Sequence, residues 1–170
     1  SGRPGPVVVV MPRDFGETKV DENIETRPYE RKQVLSDQNS MNELIDGLNK
    51  SVKPILLAGE LARGENVRDL LVKLSDRLGA PVISAYRCQD VVENHHPCYA
   101  GHLEINPVEY QDKLFNESDF IAVLGSRLDG MTSREETLIK DDDKWAHIHP
   151  DSIVLNRFNS DIPVQSDVLP

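Results

Sequence analysis

Apolar positions along this chain switch between a helical and a strand-like spacing, and the switches divide it into elements. Met41, Leu44, Ile45 and Leu48 recur at i, i+3, i+4 and i+7, which predicts an amphipathic helix; Ser40, with Glu43 three residues on, reads as a capping box at its start. Ile55 to Ala58, inside Lys53-Pro54-Ile55-Leu56-Leu57-Ala58-Gly59-Glu60, is a short unbroken apolar run and predicts a strand buried on both faces. A second helix is predicted where Val67, Leu70, Leu71, Leu74 and Leu78 share one face, with Gly79 as its C-terminal stop. Val82 to Ala85 predicts the next strand. The stretch beyond is irregular and rich in His and Asn until Pro107, which can open a helix carrying Val108, Gln111, Leu114 and Phe115 toward Ser118. Phe120 to Leu124, closed by Gly125, has the character of a central parallel strand, and Trp145 to His149 and Ile162 to Gln165 predict two more.

Strands alternating with helices at this spacing need crossover connections, and right-handed crossovers place helices on both faces of a sheet. The expected fold class is therefore α/β: a doubly wound, mostly parallel sheet flanked by helices, of the Rossmann-like nucleotide-binding type. Ligands of such sheets bind beyond the carboxyl ends of the strands, so chemistry is expected in the loops after Ala58, Ala85, Leu124 and His149. The start of the chain breaks the alternation. Val7 to Met11 is a β-branched run suited to a buried strand, yet no neighbour precedes it. Pro12 to Asn39 is polar and charged, carries Pro12 and Pro28, and reads as an extended linker. Residues 1–39 are thus expected to be the last strand of a preceding domain plus a linker, and residues 40–170 one α/β domain.

Composition narrows the function. Over 170 residues, 38% hydrophobic and 28% charged positions suit one globular core. A net charge of -10, with no cluster of Lys and Arg, argues against a nucleic acid partner. No apolar run approaches the roughly 20 residues that cross a bilayer, and no signal-peptide pattern opens the chain, so a cytoplasmic location without a membrane partner is expected. Cys88 and Cys98 lack metal-ligand spacing and are expected as free thiols.

The loop Gly59-Glu60-Leu61-Ala62-Arg63-Gly64 departs from G-x-G-x-x-G, and no Lys-Ser/Thr follows. Gly59 can let a ribose or pyrophosphate approach the backbone, and a helix start after Gly64 favours an anion; equally, both glycines can serve only to turn the chain. Glu60 opposes a phosphate there. In Gly125 to Ser133, Arg127 offers a guanidinium fork to a phosphate and Asp129 an acceptor for a sugar hydroxyl or a helix cap, a surface salt bridge between them being the other reading. His149-Pro150-Asp151 puts a carboxylate at a strand end, to bind ribose hydroxyls or cap a turn. His95, His96, His102, His147 and His149 show no spacing that gathers three or four ligands, so no metal site is predicted. Neither a Ser/His/Asp nor a Cys/His nucleophilic arrangement has sequence support, and no catalytic residue is predicted.

Seven segments stand in a familiar order: Gly2-Arg3-Pro4-Gly5-Pro6-Val7-Val8 with Met11-Pro12-Arg13-Asp14; Lys53 to Gly59; Leu78-Gly79-Ala80-Pro81-Val82; Asn94-His95-His96-Pro97 to Gly101; Ser118-Asp119; Leu124-Gly125-Ser126-Arg127-Leu128-Asp129; and His147-Ile148-His149-Pro150-Asp151. This order resembles the central domain of thiamine diphosphate-dependent enzymes of the acetolactate synthase type, over nearly the whole chain. The resemblance implies a parent enzyme that makes or breaks carbon–carbon bonds beside the carbonyl of a 2-oxo acid. Thiamine diphosphate and magnesium would be held by pyrimidine-binding and diphosphate-binding domains of the same chain, outside this segment. A homodimer or homotetramer is implied, Val7 to Met11 resembling the last strand of the pyrimidine-binding domain. Central domains of this kind hold FAD in acetolactate synthases, ADP in oxalyl-CoA decarboxylases, and nothing in many decarboxylases. The positions at which a nucleotide would be met are Gly59, Glu60, Gly101, Ser126, Arg127, Asp129, His149 and Asp151. Arg127 and Asp129 match the flavin-binding pattern. Gly59-Glu60-Leu61 stands in place of a Gly-rich turn, Gly101 to Asn106 lacks Met-His-Gly, and Gly130-Met131 replaces a common Asp-Arg. A free-standing FAD-, NAD- or ADP-binding module is the rival expectation.

Overall fold

In a computed structural model of the chain, residues 5–20, 27 and 32–168 are described, and the chain divides into two units, Ser1–Lys32 and Gln33–Pro170. In the first unit Val7 to Val10 are 83–86% exposed and form no strand, so any buried strand there needs a partner from outside the described residues. The linker expected to be extended instead makes a 3-10 turn, Arg13–Glu17, closed by the Phe15 amide on the Pro12 carbonyl at 3.1 Å. Its positions 21–26 and 28–31 lie outside the described residues.

The second unit holds the alternation read from the sequence. Helix α1 (Gln38–Lys50) leads to β1 (Pro54–Ala58), α2 (Glu65–Leu78) to β2 (Val82–Ser84), then β3 (Tyr99–His102), α3 (Glu109–Glu117) and β4 (Phe120–Leu124). A four-residue helix α4 (Gly130–Ser133), β5 (Trp145–Ile148), a second short helix α5 (Ser152–Leu155) and β6 (Ile162–Val164) complete it. All six strands are parallel, in the order β3-β2-β1-β4-β5-β6, with Pro54 to Ala58 opposite Phe120 to Leu124 at the centre. The doubly wound class holds, and the sheet is wholly parallel.

Alternate residues of the central strands build a core on each face. Leu56, Ala58, Val82, Ala122, Ala146 and Ile148 pack beneath Leu44 and Leu48 of α1 and Val67 and Leu71 of α2. Ile55, Leu57, Ile83, Ile121, Val123 and Trp145 pack on the other face with Phe115 of α3. Helices on both faces leave the strand interiors dry, which is why these strands read as continuous apolar runs.

Local corrections follow from side-chain chemistry. Asp37, not Ser40, caps α1: its carboxylate accepts the Ser40 amide at 3.0 Å and the Ser40 hydroxyl at 2.7 Å, so Ser40 sits three residues inside the helix as a donor. Leu70, at 49% exposure, and Ile45 face outward, so the apolar stripes are narrower than the periodicity suggests. Pro107 precedes rather than opens α3, whose cap is Val108 in an extended conformation. The stretch read as irregular contains β3, whose residues Tyr-Ala-Gly-His are all half-buried at the sheet edge and so carry no apolar run. The helical stop at Gly79 is as expected, left-handed at φ 61°.

Candidate functional site

Reversal of strand order between β1 and β4 sends the chain away from this point in opposite directions, which opens a crevice at their carboxyl ends. The loops after both strands meet there. The Gly59 amide donates to the Leu124 carbonyl at 2.8 Å and the Leu61 amide to the Gly125 carbonyl at 3.0 Å. A methyl on Gly59 would overlap the Cα of Ser126, so glycine is required by this close approach of two backbones. The Gly59 backbone is thereby covered by Ser126.

Glu60 and Arg127 face each other across the crevice. The Arg127 Nε lies 3.8 Å from Glu60 Oε1 and 3.5 Å from Asp129 Oδ2, with the three side chains 44%, 26% and 31% exposed. Asp129 also accepts the Met131 and Thr132 amides at 3.1 and 3.0 Å, capping α4. Ser126 is buried; its hydroxyl accepts the Leu128 amide at 3.1 Å and its carbonyl accepts the His147 Nε2 proton at 2.7 Å. His147 is wholly buried in β5, its ring 5.6 Å from that of Trp145 and 5.9 Å from that of Phe158. Burial pushes its pKa down to about 4; the Ser126 carbonyl acts in the opposite sense and His149 adds slightly to the depression. A neutral His147 therefore ties β5 to the loop that carries Arg127.

The remaining predicted positions separate. His149 and Asp151 follow β5: the Asp151 amide donates to His149 Nδ1 at 3.0 Å, and the Asp151 carboxylate accepts the Ile153 amide at 2.9 Å, capping α5. Gly101 lies within β3, two strands from β1, with φ +83° and the Tyr110 hydroxyl where a side chain would be. Gly59, Glu60, Ser126, Arg127 and Asp129 thus lie at one place, with His149 and Asp151 in the loop after the adjacent strand β5 and Gly101 apart.

Two groups at the crevice had no sequence signal. The Arg63 Nε donates to both oxygens of Asp90, each at 3.0 Å, and the guanidinium lies 3.9 Å from the Cys88 sulfur. Arg63 and Asp90 are separated by 27 positions, and no spacing rule links them. Burial raises the Cys88 thiol to about 11; Arg63 opposes this, while Glu60, Asp90 and Asp129 add to it. Cys88 is thus an inert core thiol rather than a nucleophile.

A separate cavity of about 690 Å³ lies toward the amino ends of β5 and β6, lined by Leu138, Lys140, Trp145, Phe158 and Asp161 among others, and includes none of the predicted positions. Among the described residues no three His, Cys, Asp or Glu side chains converge as metal ligands, and no helix is long and apolar enough to cross a membrane.

A wholly parallel sheet flanked by helices, with a charged crevice at its switch point, defines an α/β domain of the doubly wound class. Residues 41–170 match the family model described as "Thiamine pyrophosphate enzyme, central domain", and the chain belongs to that family. It is 26% identical over 181 residues to an acetolactate synthase of Arthrospira platensis, covering 99% of this chain and 31% of that protein. It is 29% identical over 125 residues to a sulfoacetaldehyde acetyltransferase of Alcaligenes xylosoxydans xylosoxydans, covering 73% and 20%. With pyruvate decarboxylase 3 of Arabidopsis thaliana it shares 25% identity over 133 residues, covering 75% and 22%. The chain spans less than a third of the length of these curated relatives.

Proposed function

We propose that this chain is the central, structural domain of a thiamine diphosphate-dependent enzyme that acts on 2-oxo acids as a carboligase or decarboxylase of the acetolactate synthase type. The observation that carries the reading is the family match over residues 41–170, on a sheet whose order and crevice suit such a domain. Residues 1–39 are read as the last strand of a pyrimidine-binding domain and its linker. The exposed Val7 to Val10 support this, since four bare β-branched residues suit a strand that pairs elsewhere. Thiamine diphosphate supplies an electron sink for the 2-oxo acid carbon, and with magnesium it belongs to the two other domains of the cytoplasmic homodimer or homotetramer. No residue of this chain is assigned to that chemistry.

FAD and ADP, the nucleotides that the resemblance offers, fit the crevice poorly. Arg127 stands between Glu60 and Asp129, Arg63 is held by Asp90, and the Gly59 backbone is covered by Ser126, so neither a free guanidinium nor an open backbone meets a phosphate. The domain's role is then to hold its neighbours in place. The test is the full-length gene product supplied with thiamine diphosphate and magnesium: pyruvate or another 2-oxo acid should be consumed only when both are present. Consumption independent of thiamine diphosphate overturns the reading.

A further inference from the structure

The crevice carries two guanidiniums where an anionic ligand would lie, and three carboxylates stand against them. Two of the three have structural duties. Asp129 accepts two amides at the start of α4, and Asp90 accepts the Arg63 Nε hydrogen on both its oxygens while Arg63 Nη2 donates to the Arg87 carbonyl. Glu60 differs: among the described residues its carboxylate faces Arg127 and bonds no backbone amide. Its backbone is nonetheless fixed, because Gly59 before it and Leu61 after it are both bonded to the end of β4.

We propose that Glu60 is a built-in counter-anion that keeps nucleotide diphosphates out of the crevice between β1 and β4, and is thus the residue that decides whether this domain binds a nucleotide. The proposal rests on the reading of the chain as a central domain whose crevice is of the nucleotide-binding type.

The argument is one of charge. Glu60, Asp90 and Asp129 against Arg63 and Arg127 leave one net negative charge at the crevice. A diphosphate brings at least two more and meets a carboxylate at the position from which Arg127 would grip it. In nucleotide-binding turns glycine lets the backbone amides do this work, but here Ser126 lies against Gly59. With the Gly59 amide bonded to Leu124 and its backbone covered by Ser126, a diphosphate there depends on Arg127 and Arg63, and so on the charge of the carboxylates set against them. Replacing Glu60 by a neutral residue frees one side of Arg127 and brings the crevice to neutrality, while leaving the α4 cap and the Arg63–Asp90 pair intact.

The test is calorimetric titration of ADP into the full-length protein, with its thiamine diphosphate and magnesium sites saturated so that they do not take up the nucleotide. Glu60→Gln and Glu60→Gly should each bind ADP roughly tenfold or more tighter than the unmodified chain. Adding Arg127→Ala to Glu60→Gln should abolish the gain, which locates it in the crevice. Equal affinity of the unmodified chain and both variants overturns the role of Glu60 while leaving a nucleotide-binding crevice in place. No binding by any variant overturns the role of Glu60 and the crevice as a nucleotide site alike, and leaves the structural role of the domain standing. A gain that survives loss of Arg127 puts the ligand elsewhere and overturns the proposal.

Discussion

The two ends of this sheet employ carboxylates differently. At the amino ends they join strands. Asp119, just before β4, accepts the Val52 and Lys53 amides at 2.7 and 2.9 Å and the Ser51 hydroxyl, fastening the start of β1 to β4. Asp161, before β6, accepts the Trp145 amide at 3.2 Å and the Lys144 ammonium at 2.7 Å, fastening β5 to β6. Partial burial pushes both carboxyls up, but these hydrogen bonds outweigh it and hold both below the usual range. At the carboxyl ends Asp129 and Asp151 cap short helices in the same manner, whereas among the described residues Glu60 bonds no amide and faces the Arg127 guanidinium. A carboxylate that receives backbone amides is architecture; one that meets a side-chain cation is free to serve recognition. The difference marks Glu60 more clearly than its motif does.

Acid should separate the ends most strongly. The unfolded imidazole of His147 takes up its proton near 6.5, the folded one only near 4, so between these values the unfolded state binds more protons. Stability is complete above about 6.5, falls as pH drops through this window, and levels off below about 4, by a total of about 3 kcal/mol. Asp119 and Asp161, whose carboxyls are held low, contribute stability above 3.8 that is lost only at still lower pH. Urea denaturation across the His147 window should show this loss, and His147→Gln should flatten it; an unchanged slope in that variant breaks the assignment.

Gly59→Ala should follow in size. Its methyl must displace the Ser126 backbone, at a cost of about 2 kcal/mol in the same denaturation experiment. Loss of less than half of that would mean that the two loops yield easily. At the opposite end, Asp119→Ala removes the acceptor shared by two amides and should cost about 1 kcal/mol, small because the site is largely solvated. Glu60→Gln should change stability least, by under about 0.5 kcal/mol, as befits a partly exposed ion pair at 3.8 Å. A large loss there would make Glu60 architectural and erase the contrast with Asp119.

Particular elements show what could be foreseen. Phe120 to Leu124 and Ile55 to Ala58 were legible because strands covered on both faces need apolar side chains at every position. β3 was not legible, since an edge strand with half-buried Tyr, Ala, Gly and His leaves no periodic mark. The helix cap passed from Ser40 to Asp37 because the helix begins three residues earlier than the motif suggests: Asp37 accepts the Ser40 amide, which leaves Ser40 inside the first turn. At the crevice, Gly59, Glu60, Arg127 and Asp129 were identified from their places at strand ends. Arg63 with Asp90, and His147 beneath Ser126, were not: one pair is 27 positions apart and the other 21, and only packing joins them.

By itself, then, the order of residues determined a parallel α/β layer and the loops in which a ligand would be sought, because burial imposes period and strand ends impose turns. Which charges in those loops face one another was decided by the tertiary structure alone. Electrostatic pairing depends on distances of a few ångström between segments remote in the chain, and no local pattern encodes them.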